Sequence, residues 1–296
     1  MRIGIDLGGT KIEAIAIEGT TELLRRRMSV PRGDYEATVT AVRDLVTAIE
    51  CELGATGTVG IGIPGAISAV TGLVKNANST WLIGRPLDRD LERALGRQVR
   101  VMNDANCFAL SEATDGAAQG AHTVFGAILG TGTGGGVVVN RRVLEGRHRI
   151  SGEWGHNPLP WPQDGERPGP LCYCGRTGCI ETFLSGPGLS ATYTAIAGRR
   201  AEAAAIASLA DSGDAAANQA LDVYETQLAR ALASIINVLD PDIIVLGGGV
   251  SNIARLYTRV PSLLRPFVFS DSADTPIVAA RHGDSSGVRG AAWLWP

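Results

Sequence analysis

Apolar residues fall in short blocks separated by glycine-rich turns, and this pattern predicts alternating strands and helices. Apolar runs at 3–7 and 12–17 flank Gly8-Gly9-Thr10-Lys11 and predict a β-hairpin with a glycine turn. Residues 59–63 and 99–102 predict two further buried strands. Because helical periodicity fills the segments between the strands, the predicted fold class is α/β with mixed sheets.

Helical spacing of apolar residues is clearest in three long stretches. Helices are predicted at 35–53, 201–209 and 215–239, from Asp104 through Glu112, and near the end of the chain at 286–294. Residues 157–170 are rich in Pro and Gly and are predicted to form a loop.

The strand, glycine turn and strand of the first hairpin recur later in the chain. Residues 125–129 are apolar, 130–136 contain only Gly and Thr, and 137–139 are β-branched. Two such halves would face each other across a cleft. The predicted domains are an N-terminal α/β lobe at 1–117, joined by a helix at about 286–296, and a larger C-terminal lobe at 118–285.

Length and composition fit a two-lobed enzyme. The chain has 296 residues, which is long for one compact core, and 45% of them are hydrophobic. The net charge of −3 gives no dominant basic patch, which argues against a nucleic-acid partner. No signal peptide follows Met1, and no apolar run approaches the roughly 20 residues that span a bilayer. A cytoplasmic protein with no membrane partner is expected.

Three glycine clusters each follow an apolar run and are candidate phosphate or nucleotide sites. In the first, backbone N–H groups at Gly8 and Gly9, the hydroxyl of Thr10 and the cation of Lys11 suit phosphate, and Asp6 suits Mg²⁺. The segment does not match the P-loop pattern, and a plain turn fits it equally well.

The other two clusters lie in the second half of the chain. Thr131-Gly132-Thr133-Gly134 would gain its order from a phosphate ligand, the alternative being a flexible linker. Gly248-Gly249 follows a predicted strand and would let adenine lie on the backbone, with a tight turn as the alternative.

Asn103-Asp104 marks the junction of a predicted strand and helix. Phosphoryl transfer to an alcohol needs a carboxylate that orients the hydroxyl and takes its proton, and Asp104 suits that role. An Asp in this place is also the usual helix N-cap.

The most specific pattern combines one histidine and three cysteines. His156 precedes Cys172, Cys174 and Cys179, and these four ligand types suit a closed, tetrahedral structural Zn²⁺ site. Such a metal would pin the loop-rich residues 157–180. The alternative is three buried, unlinked thiols. Glu153 and Glu181 flank the ligands and could accept sugar hydroxyls, whereas Cys51 and Cys107 are expected to be buried as small apolar residues.

Together these residues resemble the ROK family of bacterial repressors, open reading frames and sugar kinases. The resemblance covers essentially the whole chain from Asp6 and is sharpest in the His and three-Cys pattern. It implies an actin-like (ribonuclease H-like), two-lobed sugar kinase fold with an interlobe cleft. By resemblance, Asp104 is the catalytic base and the glycine hairpins hold ATP and Mg²⁺. Sugar-binding residues implied in the same way are Gly65, Asn78, Asn103, Asp104, Glu153, His156 and Glu181.

Within the family, the chain is most similar to bacterial fructokinases. Residues 75–81, 153–161 and 282–296 carry this similarity, so D-fructose is the expected sugar and fructose 6-phosphate the expected product. Glucose, mannose and N-acetylhexosamines are the alternatives. One rival class is a sugar-responsive repressor, for which the hairpin that begins at Ile3 is expected to leave no room for a preceding helix-turn-helix domain. The other is a sugar-binding regulator without catalysis, against which Asp6, Asp104 and the two glycine hairpins argue. Relatives are often homodimers, so a homodimer is also expected.

Overall fold

The computed structural model describes residues 1–296, except for the side chain of Asp284. Its strands, in chain order, are β1 (Arg2–Leu7), β2 (Lys11–Glu18), β3 (Thr21–Ser29), β4 (Thr58–Ile63), β5 (Ala66–Ile67), β6 (Val74–Lys75), β7 (Val99–Asn103), β8 (Thr123–Leu129), β9 (Thr133–Val139), β10 (Arg142–Val143), β11 (Ile243–Gly247) and β12 (Ile277–Ala279). Its α-helices are α1 (Tyr35–Leu53), α2 (Leu87–Leu95), α3 (Asp104–Thr114), α4 (Ile180–Leu184), α5 (Gly186–Ala197), α6 (Ala203–Asp211), α7 (Ala215–Leu239), α8 (Leu256–Leu264) and α9 (Ser286–Ala292).

The chain divides into two units. The first unit comprises residues Met1–Gly120, Gly136–Ser151 and Asp284–Pro296, and the second comprises Ala121–Gly135 and Gly152–Gly283. The boundary between the two units at Gly135 and Gly136 therefore falls within β9.

Two five-stranded sheets form the framework. One has the order β3-β2-β1-β4-β7, in which β1, β4 and β7 are parallel neighbours and β1, β2 and β3 are antiparallel. The other has the order β10-β9-β8-β11-β12, in which β8, β11 and β12 are parallel. Carboxyl ends of neighbouring parallel strands meet at one edge of a sheet, which is where open α/β sheets bind ligands.

The C-terminal helix α9 packs closely on the first sheet within the first unit. Gly4 on β1 and Gly60 on β4 face α9, and a Cβ atom at either would overlap a backbone carbonyl oxygen of that helix. Arg289 forms a buried ion pair with Asp115 at the end of α3, its Nε donating over 2.7 Å. These contacts explain why residues 284–296 belong to the first unit.

Most of the elements expected from the sequence are present, and the departures have local causes. The helices at 35–53 and 215–239 are confirmed with the predicted bounds. The turn expected at 130–136 is shorter, because β9 already begins at Thr133. The loop expected at 157–170 contains a short 3₁₀ turn at Asp164–Glu166. Across the described residues, no helix combines the length and apolarity needed to span a membrane.

Candidate active site and metal centre

The carboxyl ends of β1, β4 and β7 bring the predicted residues of the first unit to one sheet edge. Asp6 on β1 is in register with Gly62 on β4, and Ile63 on β4 is in register with Asn103 on β7. Asp6 and Asp104 both act on Cys107: burial, followed by these two carboxylates, raises the pKa of its thiol well above the usual value. The buried Cys107 agrees with expectation, whereas Cys51 is exposed and that expectation was wrong.

Helix α3 shows which of two adjacent residues is the N-cap. Asn103 has extended backbone, and its Oδ1 accepts from the N–H groups of Ala105 and Asn106 over 2.9 and 3.3 Å. Its Nδ2 donates to the carbonyl oxygen of Gly65 over 3.2 Å. Asp104 is therefore the first helical residue and not the cap. Its carboxylate lies in the first turn of this helix.

Gly65 needs to be glycine where it stands. Its φ is 91°, in the left-handed region, and a Cβ atom would overlap the carbonyl oxygen of Lys75. The segment that contains Asn78 therefore approaches the end of β4 closely. Asn78 and Ser79 also lie next to Gly9, at 4.0 and 3.5 Å from an ideal Cβ position.

The first glycine hairpin is a tight turn with Asp6 at its entry. Gly8 N donates to the carbonyl oxygen of Lys11 over 3.0 Å, and Arg32 Nε donates to that of Gly9 over 2.9 Å. Burial, then the nearby charge of Glu13, raises the pKa of Asp6 from 3.8 to about 6, with Lys11 opposing. Lys11 itself lies 3.5 Å from the buried Glu13.

The second glycine hairpin and Gly248-Gly249 lie side by side in the second unit. Gly247, the last residue of β11, is in register with Ile128 on β8. Gly248 has φ 84°, and a Cβ atom there would lie 2.5 Å from the carbonyl oxygen of Leu129. Two separately predicted glycine clusters, 130–134 and 248–249, therefore share one sheet edge.

The four predicted metal ligands form one cluster. The ligand atoms of His156, Cys172, Cys174 and Cys179 all lie within 4.8 Å of one another. Two edges of this cluster, Cys172 Sγ to His156 Nδ1 and Cys174 Sγ to Cys179 Sγ, each measure 3.6 Å. Zinc with bonds of about 2.0–2.3 Å to N and S places tetrahedral ligands about 3.5–3.8 Å apart. The donor set and these two edges therefore fit a tetrahedral metal, while the other ligand pairs lie within 4.8 Å of each other.

Both ring nitrogens of His156 have neighbours. Nδ1 faces Cys172, while Nε2 lies 2.9 Å from the hydroxyl oxygen of Tyr173. A ligating histidine commonly donates its other N–H to an oxygen, which fixes the tautomer and the ring orientation. Both a metal and a sugar role were predicted for His156, and this geometry favours the metal role. Tyr173 was not among the predicted site residues.

A buried ion pair also holds the loop that the metal was expected to pin alone. Arg230 on α7 is 1% exposed, its Nη2 lies 2.5 Å from Glu166 Oε1, and its Nη1 donates to the carbonyl oxygen of Trp161 over 2.6 Å. Hydrogen bonds from Arg230 and Gln227 outweigh burial and lower the pKa of Glu166. Part of 157–180 is thus fixed independently of the metal cluster.

The two glutamates that flank the metal ligands take different places. Glu153 immediately precedes the 3₁₀ turn Trp154–His156. Glu181, in the first turn of α4, accepts the N–H of Thr133 on its Oε2 over 2.9 Å, so it contacts the second glycine hairpin directly.

A cavity within the first unit does not coincide with these residues. It measures about 700 Å³ and is lined by Arg100, Arg141, Arg142 and Trp293, among others. None of its described lining residues was predicted as a site residue.

The whole chain is similar to proteins of one known family. The ROK family model matches residues 2–296, and the chain belongs to the ROK family. A ROK hexokinase from Thermus thermophilus matches with a TM-score of 0.86 and 33% identity, over 98% of this chain and 96% of that one. A ROK glucokinase from Streptomyces griseus, solved with glucose and AMPPNP, matches with a TM-score of 0.78 and 28% identity over 99% and 98%. The predicted actin-like sugar kinase fold is confirmed.

Relatives with higher sequence identity than these two structures are named for one particular sugar. An N-acetyl-D-glucosamine kinase from Photobacterium profundum is 42% identical over 99% of both chains. The comparisons support sugar kinase activity, while fructose as the particular sugar is not confirmed. The individual roles predicted for the site residues stay predictions.

Proposed function

We propose that this protein transfers the γ-phosphate of ATP to N-acetyl-D-glucosamine, at its exocyclic 6-hydroxyl. The observation that carries the proposal is the 42% identity over 99% of both chains to the Photobacterium profundum kinase of that name. N-acetylhexosamines were among the alternatives to fructose that the sequence left open.

Asp104 is the proposed general base. It accepts the proton of the attacking hydroxyl as the phosphoryl group arrives, a role that contributes about 10²–10⁴-fold to rate in comparable enzymes. Asn103, which caps α3 and bonds to Gly65, holds Asp104 at the first helical position. Asp104 Oδ1 also accepts the N–H of Ala105 over 2.8 Å, so both side chains contribute to capping the first turn.

The glycine hairpins are proposed to hold the phosphates of ATP, and Gly248-Gly249 its nucleoside. Asp6 would hold Mg²⁺, which neutralises the charge that develops on the transferred group. The His156 and three-cysteine cluster is proposed to hold a structural Zn²⁺, since its donors and spacing fit a closed tetrahedral site. Glu153 and Glu181 are the proposed acceptors of sugar hydroxyls.

A coupled ADP-release assay with Mg-ATP tests the proposal on N-acetylglucosamine, glucose, mannose and fructose. The expected result is the highest kcat/KM for N-acetylglucosamine. Asp104→Asn is expected to lower kcat by about 10²-fold or more, with sugar binding by calorimetry retained. A higher kcat/KM for fructose would return the substrate to the first expectation. No activity with any of the four sugars would favour a regulator that binds sugar without catalysis.

A further inference from the structure

Trp154 contacts the second glycine hairpin through both its indole N–H and its ring. Its side chain is 2% exposed, and its indole N–H donates to the carbonyl oxygen of Gly134 on β9 over 2.8 Å. Its ring packs edge-on against Phe125 on β8, with centroids 5.4 Å apart and planes at 89°. Trp154 therefore contacts both strands of the hairpin.

The residues around this contact leave the hairpin little freedom. A Cβ atom at Gly135 would lie 2.9 Å from both Phe125 Cζ and Trp154 Cδ1. A Cβ atom at Gly155 would overlap the carbonyl oxygen of Thr133. Residues 154–155 and 133–135 thus meet backbone to backbone, at a separation that only glycine permits.

A second anchor acts on the adjacent residue of the same hairpin. Glu181 Oε2 accepts from Thr133 N over 2.9 Å, and Gly186 N donates to the carbonyl oxygen of Gly130 over 2.7 Å. Trp154 is two residues from His156, and Glu181 is two residues from Cys179. Both anchors therefore come from segments that carry ligand atoms of the metal cluster.

We propose that Trp154 is a positioning residue for the nucleotide. A loop of only Gly and Thr loses much backbone entropy when it is ordered, so a free hairpin would bind phosphate weakly. The indole N–H fixes the backbone at Gly134 before ATP arrives. This inference rests on the proposed function, in which the hairpin receives the phosphates of ATP.

Trp154→Phe removes the N–H donor and keeps a buried aromatic ring. Losing one hydrogen bond that preorganises the site should raise the KM for Mg-ATP about 3- to 10-fold. The KM for the sugar should stay unchanged. Phe125→Leu is the matched control, because it removes the ring contact but leaves the Trp154 to Gly134 hydrogen bond. It should reduce stability without a selective change in the KM for Mg-ATP.

Hydrogen exchange without ligands gives a readout that does not depend on activity. Amides of residues 130–135 should exchange faster in Trp154→Phe than in the wild type and in Phe125→Leu. Unchanged exchange together with an unchanged KM for Mg-ATP would overturn the inference. Trp154→Tyr replaces the first variant if that one does not fold, and failure of both to fold would make Trp154 a core residue only. An inactive wild type would overturn the proposed function, while exchange would still report whether Trp154 anchors the hairpin.

Discussion

Replacing Asp6 with Asn should change the stability of the ligand-free protein in a pH-dependent way. Burial, helped by the charge of Glu13, raises the pKa of Asp6 from 3.8 to about 6. A shift of about 2 units means that the ionised carboxylate costs the folded state at most about 3 kcal/mol, since one unit corresponds to about 1.4 kcal/mol. Asn cannot ionise, so the variant avoids this cost while keeping nearly the same shape.

The direction of this pH dependence follows from the raised pKa of Asp6. Below the unfolded value of 3.8, Asp6 is protonated in both states and its stabilising contribution is fully present. As the pH rises through about 6, the folded protein must ionise a buried group and that contribution is lost. The free energy of unfolding of Asp6→Asn minus that of the wild type should therefore increase by about 1.4 kcal/mol between pH 5 and pH 8.

Urea unfolding followed by circular dichroism, without Mg²⁺ or nucleotide, measures this difference. Asp274 is exposed, so Asp274→Asn is a suitable control, and its difference from the wild type should not vary across the same pH range. If Asp6→Asn and Asp274→Asn gave parallel profiles, burial would not govern the ionisation of Asp6, and the account of this sheet edge would fail.

Two further predictions concern packing and the metal. Gly290→Ala should destabilise the protein by several kcal/mol, because its Cβ would overlap the carbonyl oxygen of Cys107, whereas the neighbouring Gly287→Ala has open space around its Cβ. Thermal unfolding of the pair measures the difference, and equal melting temperatures would refute close packing of α9 on α3. Cys172→Ser, or a strong chelator, should speed hydrogen exchange at 171–179 but leave 161–167 protected, because the Arg230 to Glu166 pair holds that part. Equal loss of protection in both segments would mean that the metal alone orders the loop.

The hairpins and the metal ligands were predictable because their signals are local. Gly8-Gly9 and residues 130–136 interrupt apolar runs, and three cysteines within eight residues limit the reading to a few possibilities. Helix propensity and spacing likewise placed α1 and α7. In each case, neighbouring residues in the sequence determine the conformation.

Other elements were not predicted from the sequence, because their partners are distant in the chain or because their composition is atypical of the structure they form. Strand β3 contains the run Arg25-Arg26-Arg27, which is not typical of a strand. It pairs with β2 and places Arg25 and Arg27 against the buried Glu13. Helix α5 begins with Gly186-Pro187-Gly188, which reads as a turn, although Ser185 caps it by accepting the N–H of Gly188 over 3.2 Å.

Contacts between residues that are distant in the chain could not be predicted from local sequence patterns. Arg230 lies 64 residues from Glu166 in the sequence, and no spacing rule connects them. The choice between Asn103 and Asp104 as the helix cap depends on the backbone of a single residue, so composition could not decide it.

Several groups at the predicted phosphate sites are costly to the fold, and that cost argues for a functional purpose. The fold disfavours the ionised form of Asp6, yet Mg²⁺ would require that form. Buried side-chain atoms without a hydrogen-bond partner occur at several places among the described residues, including the hydroxyls of Ser111 and Tyr193, and two of them belong to the predicted sites: the Ser79 hydroxyl lies beside Gly9, and the Thr133 hydroxyl lies within the second hairpin. Unpaired buried polar atoms each cost about 1–3 kcal/mol, so a fold selected for stability alone would remove them. Phosphate oxygens bound at these hairpins would provide partners for the two hydroxyls, and a bound cation would stabilise the ionised form of Asp6, so these costs agree with the proposed ligand sites.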